Sequence, residues 1–375
     1  MDSNLQPESL KSLLRLLATP RVGVRMARLL MAYCGSAQAV FDAQPKELLR
    51  IPGVGQQLVA QLQNPPPEAR IQRELHFIER HGIRALPYGH QAYPRRLADL
   101  EDAPMVLFVK GELDLNAHRI LGVVGTRKPT DYGRRYTEEL VKALAPYQPV
   151  ILSGLAYGID HLAHTAALAC GLPTAAVLAH GLDTLYPAPH QGAARKIVQQ
   201  GGALITEYVS GTAPDRPHFP ERNRIVAGML DGLLIIESGE AGGALITAHI
   251  ADSYNRDVLA LPGRALDKAS AGCNRLIKQH KALMVETAED IAFHLGWDKQ
   301  DPDREAALKQ VVDQLPESER RVVHYLRQHG KCHWDGLVDF LGTPPSELAM
   351  QLLNLEFQGL VDSLPGKYYA LKGRF

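Results

Sequence analysis

The feature that most constrains the fold of this chain is a regular alternation of segments between residues 118 and 297. Short apolar runs rich in β-branched residues alternate there with longer amphipathic segments of helical length. This alternation predicts an α/β fold, in which a mainly parallel sheet carries helices on both faces. The predicted strands are Ile120 to Val124, Val150 to Leu152, Thr174 to Leu178, Ala203 to Ile205, Leu233 to Ile236, and Val258 to Leu261.

Glycine-rich turns follow several of these predicted strands. Gly125-Thr126-Arg127 follows the first strand, Ser153-Gly154 opens the turn after the second, and a turn containing Gly242 and Gly243 follows the fifth. In a parallel sheet such turns meet at one edge, where ligands bind. Glycine lets backbone amides approach an anion, and helix N-termini add partial positive charge. We therefore expect this edge of the sheet to bind phosphate groups.

The segment after the fourth strand combines an aromatic ring, an amide and two guanidinium groups within six residues, namely Phe219, Arg222, Asn223 and Arg224. Aromatic rings and arginine planes stack on unpaired bases, and guanidinium groups match phosphate geometry. The segment therefore suggests binding of single-stranded nucleic acid. Alternatively, it is a helix N-terminus whose arginines pair with Asp215 or Glu221. The segment alone leaves both interpretations open, and the glycine turns at the same edge favour binding.

Residues 1–64 are predicted to form a helical, SAM-like module, because leucines recur near helical spacing. The turn from Ile51 to Gly55 has the hydrophobic-Gly-hydrophobic-Gly pattern of a helix-hairpin-helix unit, whose amides can face a DNA phosphate. Many such units serve only in packing, which is the interpretation we favour here. Three successive prolines from Pro65 end the module. Residues 65–117 are expected to form a linker and lead-in segment.

Residues 310–375 are predicted to form a winged-helix module. The pattern indicates helices from Glu317 to His329, Trp334 to Leu341 and Ser346 to Gln358, then a hairpin. The third helix would be the recognition helix in a DNA-binding module of this kind, but it contains glutamates and neither lysine nor arginine. A DNA-reading helix should be basic, so we expect this module to contact protein.

The overall composition limits the possible partners. The 41 basic and 41 acidic side chains give a formal net charge of zero, so any contact with nucleic acid has to be local. The four cysteines lie far apart without a C-x-x-C pair, which argues against a zinc knuckle and fits a reducing compartment. The sequence shows no signal peptide and no long apolar run. We expect a cytoplasmic protein with no membrane role.

The central region resembles the bacterial DNA-processing protein A family, also called DprA or Smf. Seven segments match the family in order and together span nearly the whole predicted sheet domain: Gly125 to Gly133, Ser153 to Asp160, Gly181 to Pro187, Phe219 to Gly228, Gly243 to Ala248, Leu261 to Gly263, and Gly272 to Ile277. The flanking regions resemble the family only in outline. Ala179-His180-Gly181 departs from the family pattern, where a second glycine is commoner, and leaves the role of His180 open.

The resemblance implies an extended Rossmann-like fold that binds and protects single-stranded DNA and helps to load the RecA recombinase, in natural transformation and homologous recombination. It also implies a homodimer formed through this domain, and no chemistry or cofactor of its own. Carried over by position, the family's DNA-binding residues are Arg127, Ser153, Gly154, Phe219, Arg222, Asn223, Arg224, Gly242 and Gly243.

The same residues allow other interpretations. A nucleotide-processing enzyme could use Glu237 near the glycine turn, but the chain lacks a Gly-x-Gly-x-x-Gly or Walker motif after the first strand. Asp160 and His164 share a helix face without a third metal ligand at firm spacing, so no metal site is expected. Ser153 lies outside any Gly-x-Ser-x-Gly nucleophile motif. Besides a DNA-binding protein and an enzyme, a third class of function is a scaffold that gathers other proteins without contacting DNA.

Overall fold

The computed structural model describes residues 7–299 and 311–371 of the chain. The chain divides into two compact units, with the boundary between Asp298 and Lys299. This boundary follows the predicted sheet domain closely. The N-terminal helices, in contrast, belong to the same compact unit as the sheet. Each unit is described separately below.

The larger unit is built on one mixed sheet, which has nine strands within the described residues, in the order β1-β2-β6-β5-β4-β3-β7-β8-β9. Strands β3 to β9 are parallel, whereas β1 and β2 are antiparallel additions at one edge. The strands are β1 (Arg84–Pro87), β2 (Val106–Gly111), β3 (Ile120–Gly125), β4 (Val150–Ser153), β5 (Thr174–Val177), β6 (Ala203–Thr206), β7 (Gly232–Ile236), β8 (Asp257–Ala260) and β9 (Leu283–Met284).

The six predicted strands correspond to β3 through β8, and the expected Rossmann-like α/β fold is confirmed. Alternate side chains of β3 to β8 enter separate cores on the two faces of the sheet. In β7, for example, Leu233 and Ile235 lie in one core and Leu234 and Ile236 in the other. Residues buried on both faces explain the continuous apolar runs in the sequence. The helices that cover the sheet are α8 (Asp131–Ala143), α9 (Ile159–Ala169), α10 (Gln191–Gln199), α11 (His218–Gly228), α12 (Gly243–Ser253), α13 (Ala271–Lys278) and α14 (Ala288–Leu295).

The N-terminal part of this unit is helical, as predicted. Its elements are α1 (Pro7–Leu17), α2 (Val24–Cys34), α3 (Ala37–Asp42), α4 (Pro45–Leu48), α5 (Gln56–Gln63) and α6 (Glu68–Arg80). In the predicted helix-hairpin-helix turn, Ile51 and Val54 are buried in the helical core and Gly53 has a φ of 80°. The core of these helices also contains Val106 and Phe108 of β2, so that the helices pack directly on the sheet.

Residues 65–117 differ from the expected linker. They form α6, β1, α7 (Arg95–Ala98) and β2, and β2 pairs with β6 in the main sheet. The proline tract ends α5 but does not open a flexible connection. Instead, α6 is amphipathic and buries Ile71 and Ile78 in the N-terminal core. Burial of this apolar stripe fixes the segment to the rest of the unit.

The smaller unit has the predicted winged-helix order. Its helices are α15 (Glu317–His329), α16 (Trp334–Leu341) and α17 (Pro345–Phe357), and its strands are β10 (Cys332–His333), β11 (Val361–Leu364) and β12 (Tyr368–Leu371). The strands form a small antiparallel sheet in the order β10-β12-β11. Residues 310 and 372–375 of the predicted module lie outside the described residues. The helices and the hairpin close on a leucine-rich core that includes Leu337, Leu348 and Leu355.

Candidate nucleic-acid interface

A cleft of about 710 Å³ lies at the carboxyl ends of β3, β4 and β7. The order of the strands reverses here. The chain adds β4, β5 and β6 on one side of β3, and it later adds β7 and β8 on the other side. Such a switch point is the usual ligand site of an open α/β sheet. We call this the central cleft. It is lined by the turns at Thr126–Arg127, Gly154–Ala156 and Ser238–Gly243, and by Phe219, Arg222 and Asn223 of α11.

An aromatic and cationic group lies on one wall of the central cleft. The guanidinium carbon of Arg127 lies 5.9 Å from the ring centroid of Phe219, and the ring of Tyr186 lies 5.7 Å from the same ring. Arg127 and Tyr186 are exposed, and Phe219 is half-buried. Arg216, also exposed, lines the cleft just before α11. This wall therefore offers aromatic faces and two solvent-exposed positive charges.

Arg222 lines the cleft but is almost entirely buried. One of its terminal nitrogens donates a hydrogen bond to the carbonyl oxygen of Val177 at the end of β5. Its guanidinium also packs against Gly154 so closely that a Cβ at that position would collide with it. Glycine is needed at position 154 for this close approach, and the guanidinium group of Arg222 packs against the loop after β4.

Asp160 is a buried acidic residue whose negative charge opposes the positive charge of Arg222. Its carboxylate accepts hydrogen bonds from the backbone amides of Gly154 at 3.1 Å and Ala156 at 3.4 Å. Burial raises the pKa of Asp160, while Arg222 and these amides act in the opposite direction. Burial likewise lowers the pKa of Arg222, and Asp160 opposes that shift. The opposite charges compensate each other and hold the loop against α11.

The structure separates two of the expected site residues from the cleft surface. Ser153 is fully buried, and its hydroxyl donates a hydrogen bond to the carbonyl of Val123 at 2.6 Å. Arg224 lies on a different side of α11 from the cleft, where its guanidinium pairs with Glu207 and donates to the carbonyl of Asp102. The expectation that Arg224 would meet Arg127 on one rim therefore does not match its position. The structure does bring Arg127, Gly154, Phe219, Arg222, Asn223, Gly242 and Gly243 together.

The groups that suggested other chemistry have structural partners. Glu237 is buried, and its carboxylate accepts hydrogen bonds from both the amide and the hydroxyl of Thr130. His164 is buried beside the hydroxyl of Thr174 at 2.6 Å, and burial lowers its pKa to about 3. His180 is also buried, and its Nε2 accepts a hydrogen bond from the amide of Tyr186. His180 thus shapes the turn that presents Tyr186 to the cleft.

Two features are absent from the part of the chain that the structure describes, namely a metal-binding cluster and a membrane-spanning helix. Within residues 7–299 and 311–371, no three His, Cys, Asp or Glu side chains are grouped so that they could hold a metal ion. Over the same ranges, every helix is too short or too polar to span a bilayer.

Residues 84–296 match the family described as DNA recombination-mediator protein A, and residues 306–367 match the DprA winged helix domain. The chain is also 34% identical over 312 residues to Protein Smf of Escherichia coli strain K12, and the match covers 82% of each chain. The chain belongs to the DprA/Smf family. The DNA processing protein DprA of Streptococcus pneumoniae strain R6 is 40% identical over 199 residues, which are 53% of this chain and 70% of that protein.

Solved structures of DprA proteins share the fold. The X-ray structure of DprA from Streptococcus pneumoniae superposes with a TM-score of 0.66 at 28% identity, covering 77% of this chain and 98% of that one. DprA from Helicobacter pylori superposes with a TM-score of 0.51 at 27% identity, over 57% of this chain and 95% of that one. The Helicobacter pylori structure is described as revealing a unique single-stranded DNA binding mode.

Sequence reasoning did not include Arg216 or Tyr186 among the site residues. Arg216 is three residues before Phe219, so its place in the same segment could have suggested a role. Tyr186 belongs to a Tyr-Pro pair that matches the family pattern but carries no binding signal of its own. Its approach to Phe219 depends on the path of the turn after β5, which the sequence does not reveal.

Proposed function

We propose that this chain binds single-stranded DNA in the central cleft and acts as a recombination mediator. The observation that carries the proposal is the wall formed by Arg127, Arg216, Phe219 and Tyr186 at the switch point of the sheet. Exposed guanidinium groups neutralise phosphates, and aromatic faces stack on bases that have no pairing partner. Membership of the DprA/Smf family and the DNA-binding DprA of Helicobacter pylori support the same conclusion.

The residues of the cleft take different roles in this proposal. Arg127 and Arg216 contact phosphates, and Phe219 stacks on a base. The amide of Gly243, the first residue of α12, donates a hydrogen bond to a phosphate oxygen, while the amide of Gly242 donates to the carbonyl of Gly239 within the turn. Arg222 and Gly154 keep the loop after β4 in place, and the buried Ser153 fixes the end of the strand. Asn223 lines the cleft and offers its amide to a base edge.

We further propose that the protein acts without chemistry of its own, in the cytoplasm, and helps to load the RecA recombinase onto the bound strand. The carboxylate of Glu237 and the hydroxyl of Ser153 are both occupied by internal hydrogen bonds, which disfavours a hydrolytic role. A homodimer formed through the Rossmann-like domain would join two central clefts. Joining two sites raises the apparent affinity for a long strand through effective concentration.

Fluorescence anisotropy with matched single-stranded and duplex oligonucleotides, each at two salt concentrations, tests DNA binding. We expect the single strand to bind more tightly than the duplex, because stacking on Phe219 requires bases that can be separated from their partners. We also expect affinity to fall as salt rises. Equal affinity for the duplex would contradict the stacking role, and no binding to either would leave the scaffold interpretation.

A further inference from the structure

A second cleft, of about 490 Å³, lies farther along the same rim of the sheet. It is formed by α1, by Arg70 and Arg73 of α6, by Val106 at the start of β2, and by the loop Glu207–Thr212 after β6. Because β2 runs antiparallel to β6, its first residue lies at the edge where β6 ends. The second cleft and the central cleft therefore open at the same edge, and both lie within the larger compact unit.

The spacing between the two clefts suits a short stretch of nucleic acid. The order β6-β5-β4-β3 places three strand spacings between the end of β6 and the end of β3. At about 4.8 Å per spacing, this separation is roughly 14 Å. Stacked nucleotides rise about 3.4 Å each, so roughly four nucleotides would span it.

Aromatic rings occupy the surface between the clefts. Tyr208 lines the second cleft, and its ring lies 4.5 Å from that of His218. His218 is followed directly by Phe219, whose ring is 5.7 Å from that of Tyr186 in the central cleft. The hydroxyl of Tyr208 donates a hydrogen bond to Glu221 at 3.1 Å, which fixes its ring on α11. Four half-buried or exposed rings thus lead from one cleft to the other.

The charges of the second cleft are arranged so that its exposed side is positive. Arg70 and Arg73 are exposed, and neither forms an ion pair with a residue in the described part of the chain. The acidic groups are already occupied. Glu207 pairs with Arg224, and Glu74 accepts hydrogen bonds from the amide and hydroxyl of Ser210. An approaching polyanion would therefore meet two available guanidinium groups.

We propose that single-stranded DNA leaves the central cleft along these rings and enters the second cleft, where Arg70 and Arg73 bind its phosphates and Tyr208 stacks on a base. This inference rests on the proposed function and extends the binding site to the N-terminal helices. It assigns these helices a part in DNA binding through α6, separate from the helix-hairpin-helix turn. The footprint of one protomer is then longer than the central cleft by roughly four nucleotides.

The test compares the Arg70→Ala/Arg73→Ala double variant with the unchanged full-length protein, using oligothymidylates of increasing length from about four to sixteen nucleotides. Strands that fill only the central cleft should bind both proteins equally. Longer strands should bind the double variant more weakly, and the salt slope should fall by about 1.4, or about 0.7 for each lost phosphate contact. Between 50 and 200 mM salt, the ratio of the two affinities should therefore shrink by about sevenfold.

Arg80→Ala is the matched control, because Arg80 is an exposed arginine on the same helix that does not line either cleft. This control should bind all strands as the unchanged protein does. Equal binding of long strands by the double variant and the unchanged protein would overturn the second site. An equal loss on short and long strands would also overturn it, since the arginines would then act on the central cleft. Failure of the unchanged protein to bind any strand would instead refute the proposed function.

Discussion

Replacing Phe219 by alanine tests the stacking part of the proposed interface most directly. Phe219 is half-buried, and its ring lies near both the guanidinium group of Arg127 and the ring of Tyr186. Stacking of a base on an aromatic side chain contributes about 1 to 3 kcal/mol. Loss of one stacked base should therefore weaken single-strand binding by about 5- to 150-fold. The salt slope should stay nearly unchanged, because no phosphate contact is removed.

The assay is a fluorescence anisotropy titration with an oligothymidylate and with a strand of the same length that carries abasic sugars. Phe219→Ala should reduce affinity for the thymidylate strand far more than for the abasic strand, which has no base to stack. Phe219→Leu keeps an apolar side chain but lacks the aromatic face. It should therefore also bind the thymidylate strand more weakly than the unchanged protein. Phe357→Ala, which removes an exposed ring from the winged-helix unit, is the control. Equal losses on both strands would refute the stacking role of Phe219.

Three further predictions use other residues of the same unit. Arg127→Ala should weaken binding of every base sequence alike and reduce the salt slope by about 0.7, as measured by titration at several salt concentrations. Arg224→Ala should lower the free energy of unfolding by about 3 kcal/mol in urea denaturation, because it leaves Glu207 without its partner, while the affinity of folded protein for short strands that fill only the central cleft stays unchanged. The low pKa of His164, about 3, means that the unfolded chain takes up a proton below pH 6.5 and the native state does not. The free energy of unfolding should therefore fall with decreasing pH. Between pH 7 and pH 5, the His164→Asn variant should lose about 2 kcal/mol less of it than the unchanged protein. Equal losses would contradict a buried neutral imidazole.

The parallel core could be predicted from sequence because its strands are buried on both faces. The run from Leu233 to Ile236, for example, is continuously apolar, which predicts a strand covered on both faces, and all four residues are fully buried in β7. The antiparallel strands β1 and β2 could not be predicted in the same way. Pro87 ends β1, and β2 lies in a segment whose partner, β6, is nearly 100 residues away. Val106 to Val109 is a buried apolar run like those of the core strands, but such a run does not show which strand it pairs with or in which direction.

The site was predictable at the level of loops but not of individual side chains on α11. The proximity of Arg222 and Arg224 in sequence suggested one positive cluster. In a helix, however, each residue turns by about 100°, so Arg224 points roughly 200° away from Arg222. Phe219 and Asn223 are four residues apart and share the face that lines the cleft. A helical projection of the segment would have separated Arg224 from the site, but it would not have shown that Arg222 is buried.

The placement of the arginines also decides how salt should affect binding by a chain with no net charge. Among the residues that line the central cleft in the described part of the chain, Arg127 and Arg216 carry exposed positive charges, and Arg222 is buried. Two neutralised phosphates predict a log–log salt slope of about −1.4 for a short strand. Arg70 and Arg73 in the second cleft would bring the slope for a longer strand to about −2.8. A slope that does not change with strand length would mean that only the central cleft binds DNA, whereas a slope that doubles for the unchanged protein but not for the Arg70→Ala/Arg73→Ala variant requires both clefts.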